Sequence, residues 1–390
     1  MKTKKIFIIA GEKSGDLLGE KIIKSLKKKA GNNKIEFVGV GGELMQAEGL
    51  KSIFPMEDLS IMGVMEILPR LFKIIGRINQ TVKAIIKSKP DLVLTIDSPD
   101  FSFRVIKKVK KLDKNNEIKK AHLIAPSVWA YRKGRAKKIA KIYDLLLCIL
   151  PFEPPYFEKY GLKTVFIGHP IFDKGFADYS FDKKKFLKEF DMNEKDTIIS
   201  VTSGSRLGEV EKLLPIAIES INFLKKRYKD ISVFVLATKK TLNLVGEILK
   251  KYKFKASILL DEDHKYKAMK SSKVALAKSG TNTFEFNIYK LPMVVYYKFN
   301  WLTTKIGRMI SNIQFANLVN IIENREVITE CVLEKCKPNL IAEKLEELLN
   351  DDSARNKQVK ESQKVIKKLG FGSGKSSADK GADEILEIIG

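Results

Sequence analysis

Short, continuously apolar runs recur along the chain, separated by longer stretches in which apolar residues return with helical spacing. Runs at 4–10, 35–40, 91–96, 120–124, 144–149 and 164–167 predict buried strands, and stretches at 15–29, 64–88, 101–112 and 128–142 predict helices. Strands apolar on both faces that alternate with helices argue for a parallel sheet covered on both sides. The pattern lapses between Gly168-His169-Pro170 and Asp196, where only a short helix at 182–190 is expected. It then resumes with strands at 197–202, 231–236, 256–260, 273–277 and 292–297 and helices at 207–227, 239–252, 264–271 and 281–288. From 338 onward the chain reads as helices, interrupted at Gly370–Ser377 and closing at Ile389. The fold expected is α/β, with two Rossmann-like domains facing a cleft and C-terminal helices. Residues 1–170 form the first domain and 171–350 the second, and 351–390 are helices packing back on an N-terminal domain.

A chain of 390 residues exceeds what one hydrophobic core supports, in keeping with two domains. No apolar run approaches the roughly 18–20 residues of a bilayer span, and the N-terminal run reads as a first strand, not a signal peptide. Cys148, Cys331 and Cys336 cannot form a disulfide framework and lack nearby histidines for zinc, so they read as free thiols of a reducing cytoplasm. The net charge of +25 fits nucleic acid, an anionic membrane face, phosphorylated substrates or compositional drift toward lysine. No RNP, KH, zinc-finger or helix-turn-helix pattern occurs and the basic residues are dispersed, so nucleic acid is not an expected partner. The Gly-Ser-Gly-Lys-Ser string at 372–376 follows a helix instead of a strand and reads as a linker or cap.

Twice an apolar strand runs into a Gly/Ser-punctuated turn that opens a helix. One is Lys5–Ala10 followed by Gly11-Glu12-Lys13-Ser14-Gly15-Asp16; the other is Thr197–Thr202 followed by Ser203-Gly204-Ser205-Arg206. Such turns leave backbone N–H groups pointing outward, where α/β proteins hold polar or anionic ligands. Glu12 repels phosphate, so the first turn suits a sugar hydroxyl with Glu12 and Ser14 beside it. Arg206 and Ser205 suit a phosphate. Strand 273–277 leads into Lys278-Ser279-Gly280-Thr281-Asn282-Thr283, whose small donors suit a diphosphate, with Glu285 placed to accept from ribose hydroxyls. Strand 91–96 delivers Asp97 to its tip, as a general base or substrate ligand, and Asp100 reads as a helix cap or a substrate contact. In Ala125-Pro-Ser-Val-Trp-Ala-Tyr131 the aromatic Trp129 could stack on a sugar, or the segment could be a core-packed helix face.

The strings Ala10–Asp16, Gly39–Gly42, Ile61–Glu66, Ile96–Phe101, Ala125–Tyr131, Leu150–Glu153, Gly168–Pro170, Gly204–Arg206 and Ser279–Thr281 resemble, in order, those of the lipid-A-disaccharide synthase family. The resemblance covers residues 4 to 330. It implies a GT-B glycosyltransferase that joins UDP-2,3-diacylglucosamine to 2,3-diacylglucosamine 1-phosphate, giving the β-1,6-linked lipid A disaccharide 1-phosphate and UDP. It also implies Asp97 as the catalytic carboxylate with Glu12 and Ser14 as neighbours, and Arg206, Glu285 and Asn320 on the UDP side. Ser203 stands where the family usually has proline, Tyr131 where tryptophan is common, and Leu318-Val319-Asn320 replaces a Leu-Pro-Asn stretch. No Asp-x-Asp cluster suggests a divalent ion, so an inverting transfer without metal or cofactor is expected. A UDP-N-acetylglucosamine 2-epimerase, or a transferase with another acceptor, would keep the same fold.

Residues 61–78 carry more apolar surface than one core-facing stripe requires, with Met65, Leu68, Leu71 and Phe72 among them and Arg70, Lys73 and Arg77 as a basic stripe. That combination fits an acyl-binding or interfacial element on an anionic membrane, or a helix buried on two sides. The expected location is cytoplasmic, peripheral on the inner face of the inner membrane. Whether the last helix packs on its own first domain or on that of a partner in a homodimer stays open at this level.

Overall fold

The computed structural model describes residues 3–31, 34–59, 67–131, 134–173, 180–298 and 314–390, with backbone only for 67–71. The chain divides into two compact units, Met1–Gly175 with Leu369–Gly390, and Phe176–Lys368.

In the first unit the strands are β1 Lys4–Ala10, β2 Ile35–Val40, β3 Lys51–Ser52, β4 Leu92–Ile96, β5 Lys119–Leu123, β6 Leu145–Cys148 and β7 Lys163–Phe166. They form one parallel sheet in the order β3-β2-β1-β4-β5-β6-β7. Its helices are α1 Lys13–Ala30, α2 Glu43–Ala47, α3 Ile67–Ser88, α4 Pro99–Leu112, α5 Arg135–Ala140 and α6 Pro155–Glu158. The chain builds outward from β1 in one direction and then returns to lay β4 on the other side of β1, with Ala10 opposite Ile96. That reversal makes the carboxyl ends of β1 and β4 a switch point, where adjacent connections leave toward opposite faces and open a crevice.

The second unit opens with α7 Lys183–Lys188. Its strands are β8 Thr197–Thr202, β9 Ile231–Leu236, β10 Ser257–Leu259, β11 Val274–Lys278, β12 Met293–Tyr297 and β13 Glu330–Val332, parallel in the order β10-β9-β8-β11-β12-β13. Here the switch point lies between β8 and β11. Its further helices are α8 Leu207–Lys225, α9 Leu242–Lys251, α10 Glu262–Ser271, α11 Asn282–Ile288, α12 Leu318–Glu323, α13 Pro338–Asn350 and α14 Asp352–Lys368. The last helix, α15 Ser377–Ile389, belongs to the first unit.

Burial follows the apolar pattern. Ile6–Ala10 and Leu92–Leu94 are fully enclosed, and α1 turns Leu18, Ile22, Ile23 and Leu26 into the same core. Ala378, Ala382 and Ile385 of α15 join that core. Gly381 permits the close approach, since a Cβ there would lie 3.0 Å from Ile22 Cδ1. Ser25 Oγ donates to Asp379 at 2.9 Å and Lys29 pairs with Asp383 at 2.6 Å, fixing the register of α15 on α1. Residues 351–390 are therefore not one appendage: α14 stays with the second unit, where Gln358 exchanges two hydrogen bonds with the backbone of Met293, and α15 alone packs on the first.

Other departures have local causes. The strands β3 and β13 escape the sequence pattern because they are two and three residues long and carry polar residues. The helix expected over 128–142 is replaced by a single turn at Val128–Ala130, closed by the Ala130 and Tyr131 N–H groups on the Ser127 carbonyl, and by α5, whose N-cap is Gly134.

Candidate active site

The turns that follow β1 and β4 both lie at the switch point of the first unit. Gly11 follows β1 directly, and a Cβ there would sit 2.4 Å from Ser98 Oγ, so only glycine lets the β1 turn lie against the β4 turn. Asp97 and Ser98 both have left-handed backbones, φ 50° and 46°. Successive non-glycine residues adopt that conformation only where surrounding bonds impose it. Those bonds are Asp97 N–H to the Leu123 carbonyl at 3.0 Å, Ser102 Oγ to the Asp97 carbonyl at 3.0 Å, and the Phe101 and Ser102 N–H groups to the Ser98 carbonyl. Among the described residues no group hydrogen-bonds the half-buried Asp97 carboxylate, which leaves it available to a ligand. Glu12 is the exposed N-cap of α1 without a side-chain capping bond, and Ser14 is exposed in the first turn.

Asp16, in contrast, is buried and accepts from the N–H groups of Gly42, Leu44 and Met45 at 2.9–3.1 Å. It holds the loop after β2 and the start of α2, which is scaffolding. Asp100 does not cap α4; Ser98 occupies that position, and Asp100 stands exposed in the first turn, 3.2 Å from Arg135. Trp129 is half-buried in the loop after β5, edge-on to Phe152, and its Nε1–H donates to Glu153 Oε1 at 3.4 Å. Beneath the β4 turn, buried Thr95, His122 and Tyr143 form a hydrogen-bonded cluster, and burial with Arg135 nearby pushes the His122 imidazole down to about 3.

In the second unit the turn after β8 is already braced. Glu209, at the third position of α8, accepts from Ser205 N–H at 3.2 Å and pairs with Lys278 at 3.1 Å. Gly204, φ 116°, makes room for it, as a Cβ there would lie 2.4 Å from Glu209 Oε2. The expectation of open N–H donors at this turn is corrected to that extent: one of them is held by the protein's own carboxylate. An acidic residue in the first turn of a helix is favoured by the helix dipole, and Glu209 is placed in that turn by the sequence. Arg206 is the exposed N-cap of this helix. Ser205, Thr281 and Glu285 line a depression of about 230 Å³ together with Lys278 and Asn282. Thr202 shapes its floor by accepting from Lys278 N–H at 3.1 Å and Asn282 Nδ2 at 2.7 Å. Gly280 has φ 150°, and the Ser279 hydroxyl donates to the Ala316 carbonyl at 2.8 Å, so its proton is committed within the fold.

Asn320 is corrected outright as a nucleotide ligand. It is fully buried, and its amide donates to the Ile328 carbonyl and Glu330 Oε1, both at 2.7 Å, while its oxygen accepts from Val327 and Ile328 N–H at 2.8 and 2.9 Å. An asparagine side chain has no capacity beyond that set. Glu330 also accepts from Ala316 and Asn317 N–H, and burial raises its pKa against the pull of these donors.

On α3, Ile78, Val82 and Ile85 face the core, whereas Phe72 is 73% exposed and Ile75 is 40% exposed. The helix is thus not buried on two sides at this level. Lys73 and Arg77 both pair with Asp58, which they hold below the usual carboxylate range, so this part of the stripe is partly neutralised. Met65 lies outside the described residues, as do the side chains of Leu68, Arg70 and Leu71.

Two solved structures share this architecture: UDP-GlcNAc 2-epimerase from Neisseria meningitidis bound to UDP-GlcNAc (13% identity, TM-score 0.61, 99% of this chain and all of that one), and the glycotransferase of kitacinnamycin (11%, 0.61, all of both chains). Identities that low show the fold alone. The family model for lipid-A-disaccharide synthetase matches residues 6–384, and the lipid-A-disaccharide synthase of Rickettsia prowazekii is 44% identical over 375 residues, 96% of each chain. The chain belongs to the lipid-A-disaccharide synthase family.

It is accordingly a hexosyltransferase of lipid A biosynthesis, on a GT-B fold. The epimerase alternative, equally compatible with the fold, falls to the whole-length relationship with the synthases. The described residues include no helix long and apolar enough to cross a membrane. The residues that sequence reasoning missed are Glu209, Thr202, Glu330 and Glu153, all acting through hydrogen bonds between segments distant in the chain or, for Glu209, within a turn.

Proposed function

We propose that the first unit holds the acceptor sugar, 2,3-diacylglucosamine 1-phosphate, with Asp97 as general base, and that the second unit holds UDP-2,3-diacylglucosamine. The observation that carries this reading is the meeting of the Gly11–Ser14 and Asp97–Ser98 turns at the first switch point, with an acidic rim and an unpartnered carboxylate. The acceptor 6-hydroxyl attacks the donor anomeric carbon, its proton passes to Asp97, and the bond from that carbon to UDP breaks. Attack opposite the leaving group inverts the anomeric centre. The charge developing on UDP meets Arg206, Ser205 and Thr281 and the positive end of α8, a fixed potential that favours departure. Glu285 sits in the same depression to accept from ribose hydroxyls. Among the described residues no three carboxylate, imidazole or thiolate groups gather as a metal site.

The exposed Phe72 and Ile75, with Lys73 and Arg77 beside them, support placing α3 against an anionic membrane surface on the cytoplasmic side, where both acylated substrates would be met. The reaction mode is tested by running the transfer in EDTA and determining the anomeric configuration of the product by NMR. A β-linked disaccharide formed at an undiminished rate is expected; an α-linked product, or activity abolished by EDTA and restored by a divalent ion, overturns the inverting, metal-independent reading.

A further inference from the structure

Glu153 is 2% exposed at the carboxyl edge of the first sheet, in the loop that follows β6. An isolated carboxylate is not left in such a place without partners. One oxygen accepts from Leu150 N–H at 3.1 Å, inside its own turn, which the Glu153 N–H closes by donating back to the Leu150 carbonyl at 3.2 Å. The other oxygen reaches out of that turn to the Trp129 indole on the neighbouring loop, after β5. Phe152 stands edge-on to the same indole, ring centroids 5.2 Å apart and planes at 84°. The side chains from the β6 loop therefore grip Trp129 by its N–H and by its ring.

The edge that Trp129 stands on is that of Asp97. Ile96 pairs with Leu123 in the sheet, Asp97 N–H donates to the Leu123 carbonyl, and Ile124 N–H donates to the Leu147 carbonyl, so the loops after β4, β5 and β6 leave the sheet side by side. A half-buried indole on this edge offers a flat apolar face of the kind that packs on the C–H face of a sugar ring. Among the described residues the indole N–H has this 3.4 Å contact as its hydrogen bond, so the orientation of the ring responds to the position of the Glu153 oxygen.

We propose that Glu153 is a positioning residue of the acceptor site, holding the Trp129 indole as a rigid wall for the sugar; this rests on the placement of the acceptor at the Asp97 edge. Burial pushes the Glu153 carboxyl up to about 7, while hydrogen bonds from the Leu150 and Ile149 N–H groups and the Trp129 indole pull it down.

The test uses the full-length enzyme in a Trp301→Phe background, where Trp129 is the single tryptophan of the two in the chain. In Glu153→Ala the acrylamide quenching constant of Trp129 about doubles, and kcat/KM for the acceptor sugar falls about tenfold through KM, with the donor KM unchanged. Glu153→Gln keeps a carbonyl oxygen for the indole N–H and restores both readouts most of the way; Glu153→Leu, which fills the site without an acceptor, gives the alanine losses and serves where the alanine variant does not fold. Adding Glu153→Ala or Glu153→Gln to Trp129→Phe produces no further loss. Parental quenching and acceptor KM in folded Glu153→Ala or Glu153→Leu, or losses that add to those of Trp129→Phe, overturn the proposal. If Glu153→Ala or Glu153→Leu behaves as the parent while Asp97→Asn is inactive, the positioning role fails and the acceptor edge stands; if Asp97→Asn is active too, the reading beneath it fails.

Discussion

Asp97→Asn lowers kcat for disaccharide formation by about 10²–10⁴, the range that a positioned general base contributes. The substitution removes the basic oxygen and almost nothing else. No described group hydrogen-bonds the carboxylate, so no internal partner is orphaned, and asparagine tolerates the left-handed backbone that Asp97 adopts, φ 50°. Alanine at this position would add backbone strain to the chemical loss and blur the result. The prediction is checked by steady-state kinetics with both diacyl sugars alongside a thermal melt: kcat collapses, both KM values stay close to wild type, and the melting temperature holds. A folded variant turning over at the wild-type rate would remove Asp97 from the chemistry.

Asn320→Ala has the largest expected effect on stability, about 3–5 kcal/mol. Its amide satisfies two backbone N–H groups, one carbonyl and one oxygen of Glu330, all in a region closed to solvent. Truncation removes the Asn320 partner of the Val327 and Ile328 N–H groups and of the Ile328 carbonyl, and an unsatisfied buried group costs about 1–3 kcal/mol, partly relieved by relaxation. The loss of a donor to Glu330 compounds this, because that carboxylate remains buried with only the Ala316 and Asn317 N–H groups. Urea unfolding followed by a probe in the second unit reads the effect directly. Full stability combined with lost UDP binding would instead return Asn320 to the nucleotide site.

The contrast between these two residues shows what the chain displays as a sequence. Asp97 is legible because it terminates a strand apolar on both faces, and β4 delivers whatever follows it to the sheet edge. Arg206 and Thr281 are legible for the same reason after β8 and β11. Asn320 follows no such strand, and its burial depends on Glu330 in a three-residue strand that alternation cannot detect. The helix predicted over 128–142 failed because the apolar residues there serve a turn: Val128 and Ala130 are buried while Tyr131 points outward. Similarly, Asp16 looks like a site acid beside Glu12 until its three N–H partners on the loop after β2 are seen. Local periodicity predicts elements and their ends; bonds between distant loops decide which polar residues are structural and which stay free for substrate.

The division of labour between the two switch points is tested most directly by calorimetric UDP binding to wild type, Asp97→Asn and Arg206→Ala. If the first unit holds the acceptor and the second holds the nucleotide, Asp97→Asn binds UDP with wild-type affinity and Arg206→Ala binds it about tenfold or more weakly, through loss of a charge-assisted phosphate contact. UDP affinity lost in Asp97→Asn and unchanged in Arg206→Ala would contradict the account.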